Sequence, residues 1–168
     1  MKMELQVSQF NIIHHLTENL CDRWFLFQIP MRIKGKERHR DGKSGKYTPT
    51  NTAAHQRIIG NVCRKKVGEL NFEMIGKDSS VAVIIVQSIV PPQKWIKKNP
   101  NASLPFPCNE KPDWDNIGKT VSDAMNKIAY EDDKSIALAT VIKQYDEVDK
   151  LTVIVGQIKE AKCEPKQQ

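Results

Sequence analysis

The pattern of hydrophobic and polar residues along the chain predicts strands and helices in alternation. Four stretches are rich in β-branched and aromatic residues and are typical of strands: 23–33, 80–90, 135–145 and 151–158. The stretch 80–90 is an almost continuous β-branched run, which is typical of a central strand buried on both faces. The last two stretches flank the turn 146–150, so the pattern predicts that they form an antiparallel hairpin.

Helical periodicity is found in three segments, namely 4–23, 51–66 and 116–129. The third segment carries one apolar stripe, made of Ile117, Val121, Met125 and Ile128. Asp115 or Asn116 is the predicted N-cap of this helix. The expected fold is α+β, a single compact domain in which a mixed β-sheet packs against two main helices.

Between the second and third helices, residues 91–112 contain six of the nine prolines of the chain. Proline removes a backbone donor and fixes φ, so the sequence predicts a loop without regular structure over most of this length. Structureless loops this long are uncommon without a role. The loop is therefore a candidate functional segment.

The length of 168 residues fits one domain. We expect an N-terminal helical extension over 1–23, a folded domain over 24–160 and a frayed tail over 161–168. The four cysteines lie far apart and show no metal-ligand spacing, and no stretch is typical of a signal peptide or a membrane span. These features predict a cytoplasmic protein with reduced thiols.

Charge narrows the choice of partner, because Lys and Arg number 26 against 20 Asp and Glu, a net charge of +6. Such a balance favours a polyanionic partner. The segment 32–46 concentrates this charge in seven basic residues: Arg32, Lys34, Lys36, Arg38, Arg40, Lys43 and Lys46. A run of this kind is typical of a solvated loop or of a phosphate-binding surface, and composition leaves both readings open.

Carboxylates supply the candidate chemistry. In the sequence KPDWDN at 111–116, extended backbone would direct Asp113 and Asp115 to the same side. Two adjacent anions need a cation, and hard oxygen ligands suit Mg²⁺ or Mn²⁺. Helix capping is the simpler reading of the same residues.

A second acidic group, Glu131, Asp132 and Asp133, follows the predicted helix 116–129. A helix of about 13 residues is roughly 20 Å long, so Asp133 and Asp113 cannot meet along one straight helix. They could meet if the next strand runs back along the helix or if a second subunit contributes. Taken alone, Asp132 and Asp133 could also be solvated turn residues, and Lys119 an ordinary surface lysine.

The stretch 111–136 resembles the signature of the RusA family of Holliday junction resolvases, Lys-Pro-Asp-x-Asp-Asn-x-x-Lys followed by a helix and an Asp-Asp pair. Weaker similarity extends over about 24–158, through FLFQIPMRIKGKERHR, YTPT, PPQKWIKK and the pair Lys143 and Tyr145. Trp114 and Gly118 depart from the family pattern.

The resemblance implies roles for individual residues. It places the metal-binding and catalytic aspartates at Asp113, Asp115 and Asp133, with Asp132 as the alternative third ligand, and the catalytic lysine at Lys119. It also implies DNA contacts by the basic residues of 32–46 and by four further lysines: Lys94, Lys97, Lys98 and Lys143.

The implied protein is a Mg²⁺-dependent homodimer, with Mn²⁺ as an alternative ion, of bacterial or phage type. It would be a structure-specific endodeoxyribonuclease that resolves Holliday junctions by paired symmetric nicks in DNA recombination and repair. Two other functions share many of these features. One is a non-catalytic protein that binds branched DNA, and the other is a nuclease that acts on flaps or forks.

Overall fold

A computed structural model describes residues 17–33, 40–42, 45–47 and 50–160. The strands are β1 (Cys21–Ile29), β2 (Arg40–Gly42), β3 (Gly45–Tyr47), β4 (Val81–Ile89), β5 (Phe106–Pro107), β6 (Ile136–Tyr145) and β7 (Lys150–Ile158). The helices are α1 (Thr50–Glu69), α2 (Gln93–Lys98) and α3 (Trp114–Met125). One five-stranded mixed sheet and two main helices confirm the predicted α+β class.

The sheet has the strand order β1-β7-β4-β6-β5, while β2 and β3 form a separate hairpin. β4 is buried along its whole length, as its sequence predicts. It pairs in parallel with β6 and antiparallel with β7. The predicted β6–β7 hairpin is therefore wrong, because the most apolar strand takes the central position between them.

The connection from β6 to β7 passes the end of β4, and hydrogen bonds hold it there. The backbone N–H of Asp146 donates to the Ile89 carbonyl at 2.9 Å. The Ser88 hydroxyl donates to Oδ2 of Asp146 at 3.0 Å. These bonds let a short turn cross one strand and return antiparallel to it.

α3 begins two residues before its predicted start and ends four residues before its predicted end. Asp113 occupies the N-cap position, so the prediction of Asp115 or Asn116 is wrong. The helix ends because Asn126 leaves helical geometry and Lys127 has a positive φ of 61°. Ile128 lies outside the helix but still packs against the core.

The main core lies between the sheet and one face of α1 and α3. Ile117, Val121 and Met125 are fully buried, and each contributes about 1.5–3 kcal/mol relative to an exposed side chain. The helices approach closely at Gly60, where a Cβ atom would lie 3.0 Å from the Ala124 carbonyl oxygen. This packing fixes the rotation of α3 and turns its polar side outwards.

The proline-rich segment lacks regular structure over most of its length, as predicted, but it contains the short helix α2 and the short strand β5. Pro92 is the N-cap of α2, where a proline costs little since the first N–H groups of a helix lack partners anyway. The Trp95 ring lies 4.7 Å from the Tyr145 ring and 5.3 Å from the Phe106 ring, centroid to centroid. This small second core attaches the segment to the end of β6.

Residues 17–20 are helical and lead directly into β1, which begins two residues before its predicted start. Most of the predicted N-terminal helix and the tail 161–168 lie outside the described residues. Within the part of the chain that the structure describes, no helix combines the length and apolar character needed to cross a bilayer.

Candidate active site

The carboxylate pair lies at the start of α3. Asp113 has extended backbone, with φ −66° and ψ 148°, and follows a cis Lys111–Pro112 bond. Asp115 is already in the first helical turn, so the expectation of extended backbone through both residues holds only for Asp113. Both carboxylates are open to solvent at the positive end of the helix dipole, which favours negative charge.

Lys119 lies one turn further along α3, on the side opposite the buried stripe. Its Nζ is 3.4 Å from Oδ2 of Asp115, and the two side chains are 62% and 40% exposed. Exposed pairs of this spacing contribute only about 0.3–0.5 kcal/mol, so solvent or a ligand can replace the contact at little cost. Lys119 is thus able to exchange Asp115 for a phosphate.

Trp114 stands between the two carboxylates and is 66% exposed. Trp114 is the first residue of α3, one turn before the buried stripe begins at Ile117. A large exposed aromatic ring beside a cluster of charges is a surface on which a nucleic-acid base can stack.

The second acidic group lies beyond the other end of α3. Oδ1 of Asp132 accepts a hydrogen bond from the Lys134 backbone N–H at 3.0 Å, and this bond holds the pKa of Asp132 below its usual value. Asp133 is exposed and begins a single 3₁₀ turn that leads into β6. The local bonds therefore fix both residues at the beginning of β6.

The first and second acidic groups do not meet within one subunit. A Cβ atom on Gly118 would lie 3.5 Å from Cγ2 of Val141, so the first half of α3 lies beside the middle of β6. The strand from 136 to 141 alone spans about 16 Å, and Asp133 precedes it. Across the described residues, no group of three or more His, Cys, Asp or Glu side chains could hold a metal ion.

Tyr130 positions the second acidic group and was not anticipated from the sequence. Its buried hydroxyl donates to the Ser122 carbonyl of α3 at 2.8 Å. Burial raises the pKa of Tyr130, so the hydroxyl remains a donor at neutral pH. The Ile75 carbonyl accepts from the N–H of Glu131 at 3.0 Å, which fixes the next residue as well. The only sequence signal was an aromatic residue directly before EDD.

The basic segment begins next to the carboxylate pair. The Arg32 guanidinium donates to the Lys111 carbonyl at 3.0 Å, two residues before Asp113. The next residue, Ile33, donates its backbone N–H to Oε1 of the buried Gln87 at 3.1 Å. Gln87 was also missed, although a glutamine within the apolar stretch 80–90 was a signal for a buried polar contact.

The other basic residues fall into three sets. Lys94, Lys97 and Lys98 are exposed on α2, and Lys94 and Lys98 line a cavity of about 350 Å³ together with Trp95 and Glu110. Lys143 is partly buried and donates to the Glu110 carbonyl. Arg40 and Lys46 belong to the β2–β3 hairpin. The remaining members of the segment lie outside the described residues: Lys34, Lys36, Arg38 and Lys43.

A comparison with known protein families covers the part of the chain that carries this site. The family model described as Endodeoxyribonuclease RusA matches residues 30–156, a range that includes the candidate residues of α3, its flanks and the basic segment. The match classifies the protein as a nuclease. The chain belongs to the RusA family of endodeoxyribonucleases, which confirms the resemblance seen in the sequence and makes it a Holliday junction resolvase type of enzyme, associated with DNA recombination and repair. No curated protein matches the chain.

Proposed function

We propose that this protein resolves four-way DNA junctions by paired symmetric nicks, in a reaction that depends on Mg²⁺ or on Mn²⁺ in its place. The observation that carries the proposal is the gathering of Asp113, Asp115 and Lys119 at the exposed start of α3. Arg32 lies at the same place through its bond to Lys111. The carboxylates can bind a cation and the basic side chains beside them can bind a phosphate, so the surface suits both ligands at once.

The donor set fits a hard divalent cation, because carboxylate oxygens are the protein ligands that Mg²⁺ prefers. Asp113 and Asp115 would hold the ion, with Asp133 as the third carboxylate and Asp132 as the alternative. The bound ion supplies charge screening, water activation and stabilisation of the leaving oxygen. Lys119 would neutralise the charge that develops on the reacting phosphate.

A homodimer completes the site in this proposal. Asp133 lies at the opposite end of α3 from Asp113, so the carboxylates of one subunit form two incomplete halves. A second subunit related by a two-fold axis can contribute the missing half to each site. Two equivalent sites suit a four-way junction, whose near two-fold symmetry presents two equivalent strands.

The arms of the junction would be bound through their phosphates. Arg32 lies beside the carboxylate pair, and Lys94 and Lys98 line the cavity next to Glu110. Contacts of this kind read the backbone and not the sequence, and they release counterions. Affinity should therefore fall steeply as salt increases.

The proposal is tested with a labelled synthetic four-way junction in Mg²⁺, with linear duplex and flap DNA in parallel. We expect paired symmetric nicks from the wild type and none from Asp113→Asn, which should still bind the junction. Glu69→Gln, an exposed carboxylate at the end of α1, is the matched control and should cleave normally.

Other results would support one of the two alternative functions. Preferential cleavage of the flap would assign the same site to flap or fork processing. Tight junction binding without cleavage in Mg²⁺ or Mn²⁺ would contradict the proposal and favour a non-catalytic role on branched DNA.

A further inference from the structure

Trp114 is the most exposed large hydrophobic side chain in the part of the chain that the structure describes, at 66%. Asp113 and Asp115 flank it in the sequence, and Lys119 lies one turn further along α3. Single apolar residues on a protein surface are common and usually have no role. This one lies inside the candidate active site, so it faces whatever molecule binds there.

Gly118 leaves the tryptophan ring uncovered on one side. Residues four apart in a helix are neighbours, and each side chain leans towards the helix N-terminus, so a side chain at position 118 would lie against residue 114. A Cβ atom on Gly118 would meet Val141 Cγ2 at 3.5 Å, and no other side chain of the described residues, Trp114 included, would come within 4 Å of it. The first turn of α3 therefore presents a broad ring next to an open space.

Trp114 and Gly118 are also the two positions at which the signature in 111–136 departs from the family pattern. The departures are complementary, because one adds a large ring and the other removes the side chain that would cover it. Their spacing of four residues places both changes on the same surface of the helix.

The surroundings of the ring indicate that a nucleobase occupies this space. Bases stack on aromatic rings whatever their sequence, whereas an indole offers a phosphate only one N–H. Lys119 and Arg32 lie on either side of the carboxylate pair and can hold the adjoining phosphates. A protein surface that covered the ring with apolar side chains would also remove water from Asp113 and Asp115, which is costly for unpaired charges.

The accessibility of base faces limits where on the DNA this contact can form. In a continuous duplex, both faces of every base are covered by its neighbours, so a protein cannot reach them without opening the stack. At the centre of a branched DNA the stack is interrupted, and base faces can be reached. The ring can therefore contact a base at the branch point but finds no partner along a linear arm.

We infer that Trp114 stacks on a base exposed at the branch point, within the space left by Gly118, and so lets the active site distinguish branched DNA from linear duplex. The inference rests on the proposed function and names the feature of the DNA that brings a phosphate to Asp113 and Asp115.

Binding measurements without divalent cations test the contact in the absence of cleavage. Trp114→Ala should weaken binding to a four-way junction about 10-fold, as expected for the loss of one base–aromatic stack, and should leave binding to a linear duplex unchanged. Trp114→Phe should retain most of the junction affinity, whereas Trp114→Leu, which is apolar but has no π face, should not. Trp24→Ala is the matched control, because it removes a tryptophan that is 40% exposed on β1, and it should bind both DNAs as the wild type does.

Photo-cross-linking locates the stacked base. Iododeoxyuridine reacts on irradiation with an aromatic ring that lies against it. Placed at the branch point, it should attach to the peptide that contains Trp114, as read by mass spectrometry, and placed in the middle of an arm it should not. Gly118→Met fills the space beside the ring and should lower the yield, whereas Gly68→Met, which adds the same side chain to open space at the end of α1, should not.

Three results would overturn the inference. These are equal junction affinities for the wild type and Trp114→Ala, no cross-link from the branch point, and a change in the sedimentation of DNA-free Trp114→Ala. The last result would assign the ring to a contact between protein subunits.

These outcomes are independent of the proposed function. A protein that cleaves junctions and shows none of the expected effects would lose the stacking role and keep the proposed function. A branch-point cross-link to Trp114 in a protein that cleaves no junction would do the reverse.

Discussion

Lys119 Nζ lies 3.4 Å from Oδ2 of Asp115, one turn along the exposed side of α3. Because this pair is solvent-exposed, it stabilises the helix only slightly, and the lysine is available to a phosphate. We expect Lys119→Met to lower the junction cleavage rate about 100-fold, the loss typical of removing one donor to a developing oxyanion. Single-turnover cleavage of prebound junction measures this effect.

A matched control separates catalysis from helix stability. Lys65→Met removes an exposed lysine that pairs with Glu69 at the same four-residue spacing on α1. It should leave cleavage unchanged. Equal loss of activity in both variants would remove Lys119 from the reaction.

Mixing two inactive variants tests the two-subunit site. We expect Asp113→Asn and Asp133→Asn each to abolish cleavage alone, because each removes one carboxylate from both sites of a dimer. In a mixed dimer, one site would recover all of its aspartates and the other would lose two. Subunits mixed through brief denaturation should therefore regain activity. Because only one site of each mixed dimer is complete, the product should be single nicks and not paired ones.

The control for this experiment is a mixture of Asp113→Asn and Asp115→Asn. Both changes fall in the same half of the site, so no combination restores it. No recovery in the first mixture would place all the carboxylates of a site in one chain. Recovery in the control would instead show that Asp113 and Asp115 of one site come from different subunits.

Tyr130→Phe removes the hydroxyl that donates to the Ser122 carbonyl at 2.8 Å. We expect the free energy of unfolding to fall by about 0.5–1.5 kcal/mol, the usual net contribution of one hydrogen bond. Urea unfolding at pH 7 measures it. An unchanged midpoint would show that the bond contributes nothing.

The same variant changes the response to alkali. Burial raises the pKa of Tyr130 above its ordinary value of 10.0 and that of Cys63 to about 12. Groups with raised pKa values contribute stability that is complete below their unfolded values and is lost as the pH rises towards the folded ones. Wild type should therefore lose stability above pH 9 to 10, and Tyr130→Phe should lose less over this range. Unfolding midpoints at pH 8 and pH 10.5 compare the two.

Gly118→Ala should stabilise the protein. The added Cβ would meet Val141 Cγ2 at 3.5 Å, an ordinary van der Waals contact, and alanine is better than glycine within a helix by roughly 0.5–1 kcal/mol. Thermal unfolding should show an increased midpoint. Gly156→Ala is the contrasting variant, because its Cβ would lie 2.6 Å from Cys21 Sγ, and it should lower the midpoint.

Local features of the fold were predictable from the sequence, and distant pairings were not. The continuous apolar run of β4 and the stripe of α3 are set by neighbouring residues, and both are confirmed. The pairing of β7 depends on which strand takes the centre of the sheet, and no local pattern carries that information. Ile128 illustrates the intermediate case, since it fits the helical period and reaches the core through a turn at Lys127.

The same distinction between local and distant contacts applies to the candidate site. Asp115 and Lys119 are four residues apart, so one helical turn brings them together wherever the helix lies. The contact of Arg32 with the Lys111 carbonyl joins residues 79 positions apart, and spacing alone could not predict it. The position of Asp133 relative to Asp113 depends on the direction of β6. In the proposed dimer it also depends on how the two subunits pack together.

The intrinsic fluorescence of Trp114 can report on the surface around the carboxylate pair. Of the three tryptophans, Trp95 packs against Tyr145 and Phe106, Trp24 is 40% exposed on β1, and Trp114 is 66% exposed between the two aspartates. Collisional quenchers in solution therefore reach the indole beside the aspartates most readily. The intrinsic emission of the unmodified chain reports on what occupies this surface, without a dye and without any cleavage.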